Sequence, residues 1–244
     1  MIKFIKDYSI SQILNKIANP LIIVLGILLS FYLDNMVERN NKIEYKNFVI
    51  KNLKMILIED LSNIEKIKSL QNDCYIACET LINDIKDGKI DLSEKEIATN
   101  YLLISQNGWT SFFPQNSTYD ELISTGSMEI ISSVNFRKSL TNTYTHLYER
   151  NLQISRTIDD FFLMSNSKLG PHFVIEYGTK QDEGYIYDDL VPISYKIDKE
   201  FYLSNTAISD LLQAKKLIGN YLNLLEEYEN SYLKLQLHAE EEIN

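Results

Sequence analysis

The stretch "PLIIVLGILLSFYL", Pro20 to Leu33, carries no charged side chain and no polar face. A helix that is apolar on every side needs apolar surroundings all round, so it is either a membrane span or a core helix wrapped by other elements. At 1.5 Å per residue the run covers ~21 Å, against ~30 Å of bilayer hydrocarbon. Counting back to Ile17 adds about one turn. Asn19 and Pro20 read as a helix start, a capping asparagine followed by proline at the first helical position. The segment before them, residues 1–18, places Ile10, Ile13, Leu14 and Ile17 at helical spacing, as an amphipathic helix lying in a membrane interface would. Phe31, Tyr32 and Leu33 follow where a cleaved signal peptide would need small residues. The reading is a membrane span over 19–36, with a soluble core helix as the alternative.

Inside the run, Gly26 and Ser30 are four residues apart, and Asp34 follows at the same interval. Small residues at this spacing let a second helix approach closely in lipid, and Asp34 then stands at the polar boundary. Self-association through Gly26, Ser30 and Asp34 is one reading. Simple tolerance of a glycine and a serine in lipid is the other.

Positive charge falls on both sides, with Lys3, Lys6 and Lys16 before the run and Arg39, Lys42, Lys46 and Lys51 after it. The count is close to a tie, and the remaining argument is that a short charged tail is awkward to export. That places the soluble part, residues 37–244, outside the cytoplasm and the protein in a bacterial cell (inner) membrane as a single-pass chain in contact with lipid.

From Gly26 to Gly88 there is neither proline nor an intervening glycine, and the whole chain has only 8 glycines and 4 prolines. Long helices follow from that scarcity. Leu53, Leu57, Leu61 and Ile64 keep a helical period, so the span is expected to run on into a long helix, with or without a break. A turn is expected at Gly88. Ser93 with Glu96 has capping-box spacing, and the helix it opens reaches about Ser105. "NGWTSFFPQN" reads as a loop. Ser117 with Asp120 suggests a short helix ending at Gly126, and a long amphipathic helix follows Asn135. Residues 165–205 are irregular, with "HFVIEY" and "GYIYDD" as a possible small hairpin near 172–190. A last helix runs from about Thr206 to Glu241. The fold class is all-α: an N-terminal transmembrane helix continuing into an antiparallel bundle. No sustained strict heptad is apparent, so no extended coiled coil is expected.

Two segments carry a family resemblance. "GILLSFYLDNMVERNNK", through Gly26, Asp34, Asn35 and Glu38, resembles the start of an uncharacterised bacterial membrane family, domain of unknown function 6090. Met36 stands where that family usually has tryptophan. "FFPQNSTYDELISTGSMEIISSVNFRKSLTNTYTHLYE", through Tyr119, Leu122, Gly126 and Ile131, resembles the family's central element. The resemblance implies a single-span architecture and no activity or catalytic residue.

Chemistry is sparsely signalled. The net charge of -10 disfavours nucleic-acid partners. Cys74 and Cys78 are four apart, which suits packing and not a shared disulfide. His146 and Glu149 share a helix side, but one such pair falls short of a metal set; His172 and His238 read as solvated. Asp159-Asp160 and Asp188-Asp189 are adjacent, so their side chains point apart and read as solvated charge. The 16 tyrosines read as packing residues with hydroxyls reaching water. No catalytic residue, metal or cofactor is assigned. Trp109, Phe112 and Phe113 form an apolar loop, either a plug over the bundle or a contact for a partner. The functional reading is a non-enzymatic membrane-anchored protein that self-associates and binds an unknown protein or small-molecule partner through its bundle. The alternative is an oligomeric pore-forming or membrane-perturbing effector, for example in anti-phage defence.

Overall fold

A computed structural model describes residues 88, 10–86, 90–179 and 190–243, with backbone alone for 10–19. The first nine residues, the Ile10–Ile17 side-chain pattern and the "GYIYDD" segment with Asp188-Asp189 therefore lie outside the described positions.

The chain is mostly helical, a long apolar N-terminal helix leading into a packed bundle with one small β-hairpin. The first helix, α1, runs unbroken over Ile10–Lys86, 77 residues, or about 115 Å. It passes through Pro20 instead of beginning there. Proline's fixed φ is helical; it forfeits one backbone bond and crowds one carbonyl, and the turns on either side hold the axis. After a turn at Gly88 come α2 (Glu94–Asn107), α3 (Ser117–Ser124) and α4 (Ser127–Ile130). Next are α5 (Val134–Thr141), a π-helical segment (Asn142–Leu147) and α6 (Tyr148–Leu169), which together make one long helical run. A 3-10 turn leads to β1 (Phe173–Thr179) and β2 (Leu190–Ile197), then α7 (Lys199–Tyr202) and α8 (Asn205–Ile243).

Several local expectations hold in detail. Ser93 caps α2 through a full capping box with Glu96. Gly126 adopts φ +69° between α3 and α4, a left-handed conformation that favours glycine. Gly108 closes α2 for a different reason: a Cβ there would sit 2.4 Å from the Phe162 ring and 2.6 Å from the Ile104 carbonyl oxygen.

Other expectations need correction. The helix after Asn135 extends to Leu169, into the region read as irregular. The partner of the "HFVIEY" strand is "LVPISYKI", antiparallel, with Phe173 opposite Ile197 and Gly178 opposite Val191. Pro192 hides that strand in the sequence, because proline donates nothing to a ladder. It is tolerated beside a register irregularity at Glu176/Tyr177.

A strict heptad frame is also present. Buried positions on α1 step by alternating fours and threes from Lys46 to Ile85, through Ile50, Leu53, Leu57 and Asp60 to Cys74, Cys78 and Leu81. On α8 the same alternation runs from Ala207 to Ala239, through Leu211, Ile218, Tyr228 and Leu235. This is the spacing of a coiled-coil seam. The two helices pack antiparallel, tied at the ends by Lys46–Glu242 and Lys215–Glu79 and between them by Lys54–Glu240 and Lys68–Glu229. Polar Lys46, Asp60 and Gln71 interrupt the apolar pattern and conceal the frame. The hairpin lies against α2, where Tyr101 stacks on Phe173 at 4.2 Å between ring centroids. Cys74 and Cys78 are buried free thiols of the seam; burial pushes Cys78 up to about 12, so neither is poised to react.

Candidate functional site

Two regions stand out. The first is the N-terminal part of α1. From Pro20 to Asn41 every side chain is exposed, and among the described residues this is the one helix long and apolar enough to cross a membrane. None of the apolar window is buried by the bundle. Gly26, Ser30 and Asp34 stand on this bare stretch, and a Cβ added at Gly26 would meet nothing within 4 Å. From Asn35 to Lys42 the helix stays exposed, braced by a Glu38–Lys42 ion pair one turn apart at 2.6 Å; Tyr45 then donates to Glu121 of α3.

Where α1 enters the bundle a charged clasp closes around it. Lys46 Nζ donates to Glu242 at 2.7 Å, and both side chains are almost wholly buried. Glu242 also accepts from the Ser132 and Ser133 backbone N–H groups and the Ser132 hydroxyl. Burial alone would raise this carboxyl, but Lys46 and the serine donors outweigh it and hold it at about 2. The clasp thus joins the start of the buried part of α1, the link before α5 and the end of α8.

The second region is the loop from Gly108 to Asn116, threaded into the bundle and held by polar side chains from three long helices. Gln71 on α1 donates to the Asn107 and Thr110 carbonyls. The Phe112 N–H donates to the Tyr221 hydroxyl of α8 at 2.5 Å, and Asn151 of α6 donates to the Phe112 carbonyl at 2.8 Å. Gln115 donates twice to Asp60, through its backbone N–H and its amide, and Tyr232 adds a third bond to the same carboxylate. A buried loop must find partners for its backbone groups, and these residues supply them. Asp60 is fully buried. Desolvation raises its pKa, opposed by the Gln115 and Tyr232 donors.

The loop separates its three aromatic residues. Phe112 is 1% exposed and packs edge-on to Tyr228 and Tyr232, so it belongs to the core and is removed from the contact set. Trp109 and Phe113 remain outside at 49% and 72% exposure. The plug and contact readings each describe part of the loop.

Tyrosine placement departs from expectation as well. Tyr202, Tyr221, Tyr228 and Tyr232 are fully buried, hydroxyls included. Tyr202 donates to Asp84 at 2.7 Å, while the same Asp84 accepts the Asp91 and Leu92 N–H groups beyond the first turn. Composition cannot distinguish such tyrosines from surface ones; for Tyr221, Tyr228 and Tyr232 their heptad positions on α8 could have. His172 is also less free than expected: its ring stacks on Phe201, and Nδ1 lies 2.9 Å from Asp198. His146 is exposed on the π-helical segment. Among the described residues no group of three or more His, Cys, Asp or Glu side chains is arranged to hold a metal.

Together these features define a helical-bundle protein whose central helix projects from one end as a bare apolar rod. The chain belongs to the family of unknown function DUF6090, whose model matches residues 19–176. The match takes in the apolar run, the clasp serines, the inserted loop and the first half of β1. No curated protein and no solved structure matches the chain.

Proposed function

We propose that the protein is a non-enzymatic, single-pass membrane-anchored protein that self-associates in the bilayer and binds a partner through its bundle. The observation that carries this reading is the continuity of α1. The same unbroken helix presents an apolar surface on all sides over its first part and becomes the central packed helix of the bundle after Lys46. The eighteen residues 19–36 cover ~27 Å, close to the hydrocarbon thickness with little tilt. Self-association is assigned to the Gly26, Ser30 and Asp34 face, where small side chains admit close approach. Partner binding is assigned to Trp109 and Phe113, which stand outside while the backbone between them is anchored in the core.

The test is cross-linking of the full-length protein in native membranes, with Gly26→Leu beside wild type. The reading expects a dimer or higher band that fades in the variant. An unchanged ladder removes the assigned face. Protease protection on the same membranes reports which side holds the bundle.

A further inference from the structure

The net charge of the chain is -10, and cations that reach α8 from neighbouring helices meet carboxylates there: Lys54 on Glu240, Lys68 on Glu229 and Arg150 on Glu227. One groove beside α8 departs from this pattern. A cavity of about 400 Å³ opens between α8 and the run of α5 and the π-helical segment, with Lys138 and Lys234 both in its wall. Neither lysine forms an ion pair among the described residues. On a helix a partner stands three or four residues away. Around Lys138 those positions hold Val134, Asn135, Thr141 and Asn142; around Lys234 they hold Asn230, Ser231, Leu237 and His238. None is a carboxylate. The one acidic residue in the lining, Glu227, is held by Arg150 at 2.5 Å.

The π-helical segment shapes this wall. Residues five apart on an α-helix are turned by about 140° and face different ways. An i→i+5 turn brings them to one side, and Asn142 and Leu147, the two ends of the segment, both line the cavity. The Thr143 hydroxyl donates to the Ser139 carbonyl and so accepts from Ser231, which ties the segment to α8 beside the cavity. Ser139, Asn142 and Asn230 add hydroxyl and amide groups to the lining.

Two ammonium groups among neutral donors select an anion. The kind of anion follows from the cations. Arginine's planar fork matches a carboxylate, whereas lysine binds phosphate as a point charge, and both cations lining the cavity are lysines. The volume lies in the range of small-molecule sites. Lys234 stands eight residues before Glu242 on α8, about 12 Å farther from the bare rod than the clasp, which favours a free anion over a lipid headgroup.

We propose that the cavity between α5 and α8 binds a small soluble phosphorylated molecule, its phosphate groups held by Lys138 and Lys234 and oriented by Ser139, Asn142 and Asn230. The site is separate from the Trp109 and Phe113 surface and from the rod, and it does not depend on the readings given for them.

The test is calorimetric titration of the full-length protein in detergent with inorganic pyrophosphate. Saturable binding at one site per chain is expected, weakened about tenfold or more by Lys138→Gln and by Lys234→Gln. Both lysines are exposed, so the variants keep the fold, and an unchanged thermal midpoint without ligand verifies it. Lys216→Gln removes another exposed lysine of α8, outside this cavity, and is expected to bind as wild type does. Absence of saturation at millimolar pyrophosphate overturns the proposal. Equal weakening by Lys216→Gln also overturns it, because the attraction would then be general charge. Binding seen only with micelles containing phosphatidylglycerol, and not with pyrophosphate, overturns it by making a lipid headgroup the ligand.

Discussion

Helix α1 is two different objects on one axis. From Pro20 to Lys42 every side chain is exposed, and the apolar ones face outward in every direction. After Lys46 it buries an apolar stripe and carries polar Asp60 and Gln71 to the inside. The first part keeps its polarity out of its surroundings; the second part brings polarity into its core and satisfies it there. This inversion is what a change of solvent along one helix would select. Lipid rewards an all-round apolar surface and supplies no hydrogen-bond partners. A water-facing bundle gains specificity from buried polar groups only where each is matched.

The comparison can be broken at its junction. Glu242→Ala strands buried Lys46 and releases the Ser132 and Ser133 donors, and breaking a buried pair in this way costs about 3–5 kcal/mol. Denaturant unfolding of the full-length protein should show that loss with membrane partitioning unchanged. The loop offers a sharper contrast between adjacent residues. Phe112→Ala should cost about 3–5 kcal/mol through the cavity it leaves, while Phe113→Ala should stay within about 0.5 kcal/mol. Equal effects would mean that the loop is not seated as described.

The rod itself should respond in the opposite way. Leu29→Arg places a charge mid-run at about 2.5–3.5 kcal/mol for insertion. It should reduce the membrane-bound fraction and leave the unfolding of the bundle unaltered.

Acid separates two buried carboxyls. Glu242 is held below its ordinary value of 4.5, at about 2, so its contribution is present above pH 4.5 and drains away as pH falls toward 2. Asp60 is shifted upward; the folded state takes up its proton more readily, which favours folding as pH falls and is lost as pH rises through the folded value. Glu242→Gln should therefore flatten the acid limb of a stability–pH curve, and Asp60→Asn should steepen it. The smallest expected effect is at Met55, exposed on the outer face of α1, where Met55→Ala should change stability by less than about 0.5 kcal/mol.

How much of this was readable in advance follows from the same contrast. The apolar rod is written in adjacent residues, so the sequence shows it directly, as it shows the Ser93–Glu96 capping box and the turn at Gly126. The seam is written in residues three and four apart, and Lys46, Asp60 and Gln71 occupy its positions, so its heptad does not appear until their partners are known. Those partners, Glu242, Tyr232 and the Asn107 and Thr110 carbonyls, lie far away in sequence. Strand β2 was masked by Pro192, and the π-helical segment at Asn142–Leu147 leaves no compositional trace. For the same reason the loop aromatics are equivalent in the sequence: Phe112 is fixed inside by backbone bonds to Asn151 and Tyr221 and by ring contacts with Tyr228 and Tyr232, all distant in the chain.

The most direct measurement is alkaline carbonate extraction of membranes holding the full-length protein. If the bare part of α1 lies in acyl chains, the polypeptide stays in the pellet and Leu29→Arg shifts it toward the supernatant. Release of intact wild-type protein into the supernatant would contradict the account, because the rod would then have its partner in water.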